Sequence, residues 1–207
     1  MSNSNQEIEA KFYVTGLDRI KARLHELEAR LIQERMLERN IRFDLPGGRL
    51  RSEGRVLRLR QDTQARLTYK GDGSNEQGVL SRTEIEFTVE DFAKAKQFLE
   101  ALGYQEFMRY DKYREVYEFN ECHVMLDELP YGLFVEVEGK GVDEIRETAS
   151  RLGLGWEAAV TKSYQALFEV VKSALRLNIQ DLSFENFHGV EVKPEHLGAL
   201  PADMDGG

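Results

Sequence analysis

The sequence contains a single cysteine, Cys122, so the chain cannot form an internal disulfide, and we expect a reducing, cytoplasmic environment. Cys122 is interpreted as a small apolar strand residue rather than a nucleophile or a metal ligand, because no histidine stands at a useful spacing from it. The four histidines, His25, His123, His188 and His196, are scattered singly along the chain. This scatter argues against a zinc site.

Long apolar runs are also missing. No stretch reaches the length that a transmembrane helix requires, and the opening "MSNSNQ" is polar, without the basic and apolar parts of a secretion signal. The 207 residues are nevertheless 41% hydrophobic, which is enough for one packed domain or for one domain built from two halves. We therefore expect a globular protein without a membrane partner, present as a monomer or a homodimer.

Basic residues are in the minority, with 28 bases against 37 acids and a net charge of −9. This balance argues against nucleic acid as a partner, because broad nucleic-acid binding requires a basic surface. It does not argue against a small polyanionic ligand, since a local cluster of bases can lie inside an acidic protein. The distribution of the charges along the chain therefore matters more than their sum.

A short pattern, a charged strand followed by a capped helix, occurs twice. The opening strand "EIEAKF" precedes a helix with a capping pair at Thr15 and Asp18, and "RTEIEF" precedes a helix with a pair at Thr88 and Asp91. Further strands follow each copy, and the glycine-rich stretch 71–78 between them is predicted as a flexible loop. We interpret the repeat as an internal duplication folded into one sheet system with helices outside, an α+β fold.

The end of the chain has a different composition. Helices are predicted over 142–152 and 156–177, and the second of them closes a predicted domain that spans 1–177. The remaining residues, 178–207, contain two prolines and four glycines and show no clear periodicity. We interpret them as an appended tail that is loosely docked or disordered, with a lid over a site as the alternative.

Charged residues alternate with apolar ones on seven predicted strands. Because strand side chains switch faces at each residue, each strand has a charged face and a more apolar face. A face turned to water explains any one strand, but such a face normally includes Thr, Ser, Gln and Asn. If the apolar faces pack under helices, the charged faces must converge on one lumen. The charged positions are Glu7, Glu9, Lys11, Arg58, Arg60, Lys70, Arg82, Glu84, Glu86, Lys112, Arg114, Asp127, Glu136 and Glu138.

A lumen lined by charges of both signs indicates a particular kind of ligand. An empty, dry lumen would be unfavourable because each unpaired buried charge costs several kcal/mol. Lysine and arginine bind phosphate oxygens, whereas carboxylates tolerate phosphate only when a hard divalent cation such as Mg²⁺ or Mn²⁺ lies between them. The pattern therefore predicts a wet cavity that binds a metal ion together with an oligophosphate.

These residues give the chain a resemblance to the CYTH family, the triphosphate tunnel metalloenzymes. "EIEAK" matches the family's ExExK signature, "LRLR" its paired arginines, "LTYKG" its lysine, "RTEIEF" its basic-acidic strand, "KYREVY" a further basic strand, and "LDELPYGLFVEVEG" its Asp followed by E-x-E. "TKSYQALF" matches a segment in which some members place a phosphate-contacting lysine, here Lys162. The match runs in order from about residue 6 to 170. It implies an eight-stranded antiparallel closed tunnel made of two similar halves.

The resemblance also implies roles for individual residues. The implied metal ligands are Glu9, Asp127, Glu136 and Glu138, with Glu7 and Glu86 as second candidates, and the metal is Mg²⁺ or Mn²⁺. The implied triphosphate contacts are Lys11, Arg58, Arg60, Lys70, Arg82, Lys112, Arg114 and Lys162, of which Lys11, Lys112 and Arg114 are the candidate catalytic residues. The implied ligand is a small triphosphate such as tripolyphosphate, thiamine triphosphate or ATP.

Members of the family include class IV adenylyl cyclases, thiamine triphosphatases and inorganic triphosphatases. Water attacking the terminal phosphorus gives a triphosphatase, and a ribose 3′-hydroxyl attacking the α-phosphorus gives cyclic AMP and pyrophosphate. We expect metal-dependent hydrolysis, with a cyclase as the alternative and a non-catalytic nucleotide- or polyphosphate-binding module as the second alternative. Many cyclase-like members carry Q-x-D-x-Y on the second strand, whereas this chain has Glu38, Asn40 and Arg42 there. Because of that difference, the resemblance does not assign the substrate of any one member to this chain.

Overall fold

The computed structural model describes residues 6–76 and 78–203, and these form eight strands and six α-helices. The strands are β1 Gln6–Val14, β2 Arg30–Asp44, β3 Val56–Gln61, β4 Ala65–Glu76, β5 Val79–Val89, β6 Gln105–Phe119, β7 Cys122–Leu129 and β8 Gly132–Glu138. The α-helices are α1 Asp18–Glu26, α2 Arg49–Ser52, α3 Phe92–Ala101, α4 Val142–Arg151, α5 Tyr164–Leu175 and α6 Pro194–Leu197, with a 3₁₀ turn at Trp156–Ala158. None of the helices in these ranges is long and apolar enough to cross a lipid bilayer.

The strands form one closed antiparallel ring in the order β1-β5-β4-β3-β2-β6-β7-β8. β2, β3 and β4 make one meander and β6, β7 and β8 make a second. Corresponding strands of the two halves meet, because β1 pairs with β5 and β2 pairs with β6. Each half therefore contributes a strand, a helix and a meander. The predicted closed tunnel of two similar halves, with helices outside, is confirmed.

The main apolar core lies outside the tunnel wall, between the strands and helices α1 and α4. Ala10, Phe12 and Val14 of β1 are each at most 1% exposed and pack in one cluster with Ile20 of α1 and Ile145 of α4. Because consecutive side chains of a strand point to opposite faces, the charged residues between these apolar ones point into the tunnel. The position of the core thus determines which side chains line the lumen.

Helices α1 and α3 lie where the sequence predicts them, but their caps differ from the prediction. α1 has Leu17 at its N-cap position with no side-chain cap, and Thr15 bonds elsewhere. α3 is capped by Asp91 itself, whose carboxylate accepts a hydrogen bond from the Lys94 amide at 3.0 Å. The predicted pairing of a threonine with the aspartate three residues later is therefore wrong in both helices.

The stretch 71–78 is largely strand, and its prediction as a flexible loop is wrong. β4 continues to Glu76 and β5 begins at Val79, with a register shift before Gly73. A Cβ atom on Gly73 would lie 3.1 Å from the Ser81 carbonyl oxygen. Glycine at this irregular position allows the two strands to approach closely, which is a recognised use of glycine inside a strand.

Residues 178–203 are packed onto the fold, so the prediction of a loosely docked or disordered tail is wrong for them. Leu182 and Leu197 are fully buried in an apolar cluster that also contains Phe134 of β8. The cluster contains residues from both sides of the predicted domain boundary at residue 177. The segment therefore shares an apolar core with the tunnel domain. Residues 204–207 of the predicted tail lie outside the described residues.

The C-terminal segment completes the tunnel wall where β7 does not reach. β7 pairs with β6 only from Tyr113 onwards. Before that point Leu182 takes the place of a neighbouring strand: its amide donates to the Arg109 carbonyl and its carbonyl accepts from the Asp111 amide, both at 2.9 Å. The segment thus satisfies backbone groups of β6 that would otherwise be unpaired.

The end of the described chain is attached to β1. The Asp203 carboxylate accepts hydrogen bonds from the Thr15 amide at 2.9 Å, from the Thr15 hydroxyl at 2.8 Å and from the Gly16 amide at 3.3 Å. The Ala202 amide donates to the Tyr13 carbonyl at 2.8 Å. These bonds fix the C-terminal segment to the strand that carries the ExExK motif.

We expect Leu182→Ala to lower the free energy of unfolding by about 2–5 kcal/mol, because it leaves a cavity in a closed cluster. Leu200→Ala is the control, since Leu200 is 74% exposed, and it should change stability by less than about 0.5 kcal/mol. Urea denaturation of both variants measures the difference. A Leu182 variant as stable as the wild type would show that the segment is not part of the core.

Candidate functional site

The inward faces of the strands enclose a cavity of about 500 Å³. All the charged strand positions predicted above line this cavity except Asp127. The prediction that charged residues from distant parts of the sequence converge on one lumen is therefore confirmed for those positions. Their roles as metal ligands and phosphate contacts stay predictions.

One side of the cavity has an excess of carboxylates. Glu9 lies directly opposite Glu138 across the β1–β8 pair. Burial and the charges of Glu136 and Glu7 raise the pKa of Glu9 above its ordinary value. Burial and the charges of Glu7 and Glu9 raise the pKa of Glu138 to about 7. Both carboxylates therefore lack sufficient positive charge around them, and a bound cation would relieve their repulsion.

The donor set on this side fits a hard divalent cation, because carboxylate oxygens are the ligands that Mg²⁺ and Mn²⁺ prefer. Over residues 6–76 and 78–203, no three Asp, Glu, His or Cys side chains form a ready-made metal site. Mg²⁺ is usually held by one or two carboxylates together with waters and phosphate oxygens. Glu9 and Glu138 would accordingly hold the ion jointly with a phosphorylated ligand.

Guanidinium groups cluster on the inward face of β3. Arg58 donates hydrogen bonds to the Tyr110 hydroxyl and the Thr68 hydroxyl, both at 3.2 Å, and Arg60 donates to Glu86 at 2.9 Å. Burial and the charge of Arg58 lower the pKa of Arg60, which indicates that positive charge is concentrated here. Such a cluster suits the oxygens of a phosphate chain, which arginine can bind through two parallel hydrogen bonds.

Comparison with known proteins agrees with this geometry. The model of the CYTH domain matches residues 5–164. The chain belongs to the CYTH family. The adenylate cyclase CyaB of Aeromonas hydrophila is 28% identical over 176 residues, which cover 79% of this chain and 88% of the relative. A Methanocaldococcus jannaschii protein, described as a candidate adenylate cyclase, is 27% identical over 172 residues, which cover 78% of this chain and 97% of the relative.

A solved structure shows the same CYTH fold. It is that of a Hippeastrum protein, described as a candidate adenylyl cyclase that reveals a dominant triphosphatase activity. The two structures match with a TM-score of 0.61 at 18% identity, over 79% of this chain and 95% of the other. The likeness confirms the architecture of the tunnel.

Asp127, one residue of the CYTH pattern, lies behind the cavity wall and is fully buried. It accepts hydrogen bonds from Lys112 Nζ at 2.9 Å, from Arg114 Nε at 2.6 Å and from the Tyr164 hydroxyl at 2.8 Å. From this position it holds Lys112 and Arg114 in place. Its role as a metal ligand stays a prediction.

The three candidate catalytic residues of this CYTH protein meet around Glu136 and Asp127. Lys11 lies 3.2 Å from a Glu136 oxygen, and Arg114 bonds both carboxylates. Burial opposes the ionisation of Glu136, but Lys11 and Arg114 outweigh it and hold its pKa well below the ordinary value. Lys11, Lys112 and Arg114 are therefore held in fixed positions by two buried carboxylates.

Lys162 lies outside this cavity and lines a second one of about 230 Å³. The second cavity shares Glu9, Lys11 and Arg82 with the first, so the two are neighbours. Lys162 is therefore next to the charged lumen rather than within it, and its contact with a phosphate group stays a prediction.

Several lining residues were not predicted as site residues from the sequence, among them Glu38, Arg42, Arg66 and Tyr164. Glu38 and Arg42 follow the period-two alternation of β2, and Arg66 follows that of β4, so this signal could have found them. Tyr164 comes from the first turn of α5, where no strand periodicity marks the inward face. Only the packing of the helix against the tunnel reveals it.

Proposed function

We propose that this CYTH protein hydrolyses a triphosphate with the help of a divalent cation, Mg²⁺ or Mn²⁺. The observation that carries the proposal is that one cavity holds the Glu9–Glu138 carboxylates and the arginine cluster of β3. Phosphate binds the bases directly, whereas it approaches the carboxylates only with a cation between them. A ligand made of linked phosphate groups and a divalent cation satisfies both sets of side chains.

The proposal assigns a role to each set. Glu9 and Glu138 would hold the cation, with Glu7, Glu86, Asp127 and Glu136 as further candidate ligands. When bound, the cation supplies Lewis-acid stabilisation of charge on the phosphate oxygens. Arg58, Arg60, Lys70, Arg82 and Lys162 would orient the phosphate chain. Lys11, Lys112 and Arg114 would donate hydrogen bonds to the oxygens on which negative charge develops.

The rigidity of the site supports this reaction type. Phosphoryl transfer depends on positioning and charge neutralisation more than on covalent participation by the protein. The bases around Glu136 and Asp127 are held by buried ion pairs, so they require little reorganisation when a substrate arrives. Fixed donors of this kind stabilise the negative charge where it develops on the oxygens in the transition state.

Two other functions would use the same cavity. A class IV adenylyl cyclase would direct the ribose 3′-hydroxyl of ATP to the α-phosphorus, and the names of the Aeromonas hydrophila and Methanocaldococcus jannaschii relatives favour it. Hydrolysis is favoured by the activity described for the Hippeastrum protein, and it requires no nucleobase site. A non-catalytic module would bind nucleotide or polyphosphate without turnover.

We expect the purified protein to release phosphate from tripolyphosphate, thiamine triphosphate or ATP when Mg²⁺ or Mn²⁺ is present. Phosphate release should stop when EDTA removes the metal, because the cation neutralises charge on the reacting group. Phosphate release and cyclic AMP are measured in the same reactions. Cyclic AMP without phosphate would favour the cyclase, and metal-dependent binding without either product would favour the binding module. No phosphate from any of the three substrates would contradict hydrolysis.

A further inference from the structure

Arg42, on the inward face of β2, is a cation without a counter-ion among the described residues. It lines the main cavity together with Glu38 of the same strand. Glu38 is paired with Arg60 at 3.4 Å and with Lys112 at 3.7 Å. Arg42 forms no ion pair within 4.0 Å with any carboxylate in residues 6–76 and 78–203, and its Nε atom is enclosed without a hydrogen-bond partner. The Nε atoms of Arg58 and Arg60 also lack partners, but both of these side chains form ion pairs, so the state of Arg42 requires an explanation.

The groups that could satisfy Arg42 are already engaged. Asp44, two residues further along β2, accepts hydrogen bonds from Arg51 Nε and the Leu50 amide, each at 2.8 Å. The ring of Phe107 lies 5.6 Å from the Arg42 guanidinium and 4.3 Å from that of Arg51. A cation–π contact at the longer distance is at the limit of its range and is weak. Arg42 is therefore available to an anion from outside the chain.

The position of Arg42 makes its isolation unfavourable. It lies directly opposite Arg58 across the β2–β3 pair, and like charges opposite each other destabilise a sheet. Burial and the charges of Arg58 and Arg82 lower the pKa of Arg42 to about 10, although Tyr110 and Asp44 act in the opposite direction, so it stays cationic at neutral pH. The ligand-free protein thus carries an uncompensated charge in its cavity wall.

Strand β2 stands across the tunnel from β1. In the ring β1-β5-β4-β3-β2-β6-β7-β8, three strands separate β1 from β2 in each direction. Arg42 pairs across β2–β6 with Met108, and Met108 and Leu182 both line the cavity and belong to one apolar cluster. Arg42 therefore lies on the wall covered by the C-terminal segment, facing the strand that carries Glu7 and Glu9.

We propose that Arg42 binds a phosphoryl group of the substrate, and that a ligand must span the tunnel from the β1 carboxylates and their cation to reach it. The inference rests on the proposed function, and it adds one phosphate contact on the wall opposite the β1 carboxylates. A chain of three phosphoryl groups gains the Arg42 contact, whereas a diphosphate held at the carboxylates does not. Arg42 is therefore a specificity-determining residue outside the set that the family pattern assigns.

The test compares Arg42→Met with Arg39→Met, because Arg39 is on the same strand but exposed on the other face. Calorimetry with Mg²⁺ should show tripolyphosphate binding weakened by about 10–100-fold in Arg42→Met, the range expected for one charge-assisted hydrogen-bonded contact. Pyrophosphate binding should change by less than about threefold. The ligand-free melting temperature of Arg42→Met should rise, since an unpaired, half-buried charge is removed. Arg39→Met should leave both binding affinities unchanged.

Two results would overturn the inference. The first is that Arg42→Met binds tripolyphosphate as tightly as the wild type does. The second is a lower ligand-free melting temperature for Arg42→Met, which would show that Arg42 stabilises the fold. Wild-type protein that binds tripolyphosphate without hydrolysing it would contradict the proposed hydrolysis, while the comparison of variants would still decide the role of Arg42. Wild-type protein that binds no tripolyphosphate would overturn both.

Discussion

Glu138→Ala should remove nearly all metal-dependent phosphate release, about a thousandfold in kcat, because the cation contributes several kcal/mol to the transition state. The fold should persist, since in the described parts of the chain the Glu138 side chain makes no ion pair within 4.0 Å and no hydrogen bond, and the backbone pairing of β8 does not depend on it. Removing one of the mutually repelling carboxylates should leave the ligand-free melting temperature equal or higher. Phosphate release and calorimetric titration with Mn²⁺ measure the two effects.

Two variants sharpen this test. Glu138→Gln keeps the shape of the side chain and removes its charge, so it should lose activity as the alanine variant does. Glu121→Ala is the matched control, because the Glu121 side chain is 74% exposed and its ion pair among residues 6–76 and 78–203 is with Lys140, which is 77% exposed. A Glu138→Ala protein that kept full activity would show that the metal ligands are different residues.

Arg60→Ala should raise the substrate concentration needed for half-saturation by about 10–100-fold, the effect of losing one or two charge-assisted hydrogen bonds to phosphate. Its guanidinium lies in the arginine cluster of β3, and burial together with Arg58 already lowers its pKa. An incoming phosphate group would therefore relieve repulsion within the cluster. Saturation curves for phosphate release from tripolyphosphate measure the change in KM and in kcat separately.

The control for this variant is Arg49→Ala. Arg49 is exposed on α2 and pairs with Glu53, four residues later, in an ordinary surface ion pair. Its replacement should leave KM unchanged. If Arg60→Ala also had the KM of the wild type, the contact between Arg60 and the phosphate chain would be ruled out.

Local periodicity explains why much of the tunnel could be predicted from the sequence. In β1 the alternation of Glu9 and Lys11 with Ala10 and Phe12 fixes which side chains share a face, because the period of a strand is two residues. A face so fully charged cannot pack against a helix, so it must turn either to water or to a lumen. The recurrence of the pattern on seven strands favoured the lumen, and the closed ring confirms it.

Features that depend on contacts between residues far apart in the sequence could not be predicted from local periodicity. Asp127 has the inward alternation of β7, yet Lys112, Arg114 and Tyr164 cover it, and only the three-dimensional structure shows this. Thr15 has the sequence of a helix cap but binds Asp203, which is far along the chain. Tertiary partners of this kind replace the local ones that propensity rules assume.

The C-terminal segment was mispredicted for a related reason. Its burial rests on separate anchors, among them Leu182, Leu197 and Asp203, rather than on a repeating pattern. Prolines and glycines between the anchors give it the composition of a loose tail. Such a segment can be recognised only once the surface it covers is known.

The attachment of this segment also bears on how the protein is made. β1 leaves the ribosome before its partner β8, which follows more than a hundred residues later, and Leu182 and Asp203 are later still. The ring can therefore close only after β8 has been made, and such non-local pairing makes folding slow. Until then the nascent sheet has open edges that other chains can join, so we expect its recovery in cells to depend on chaperones.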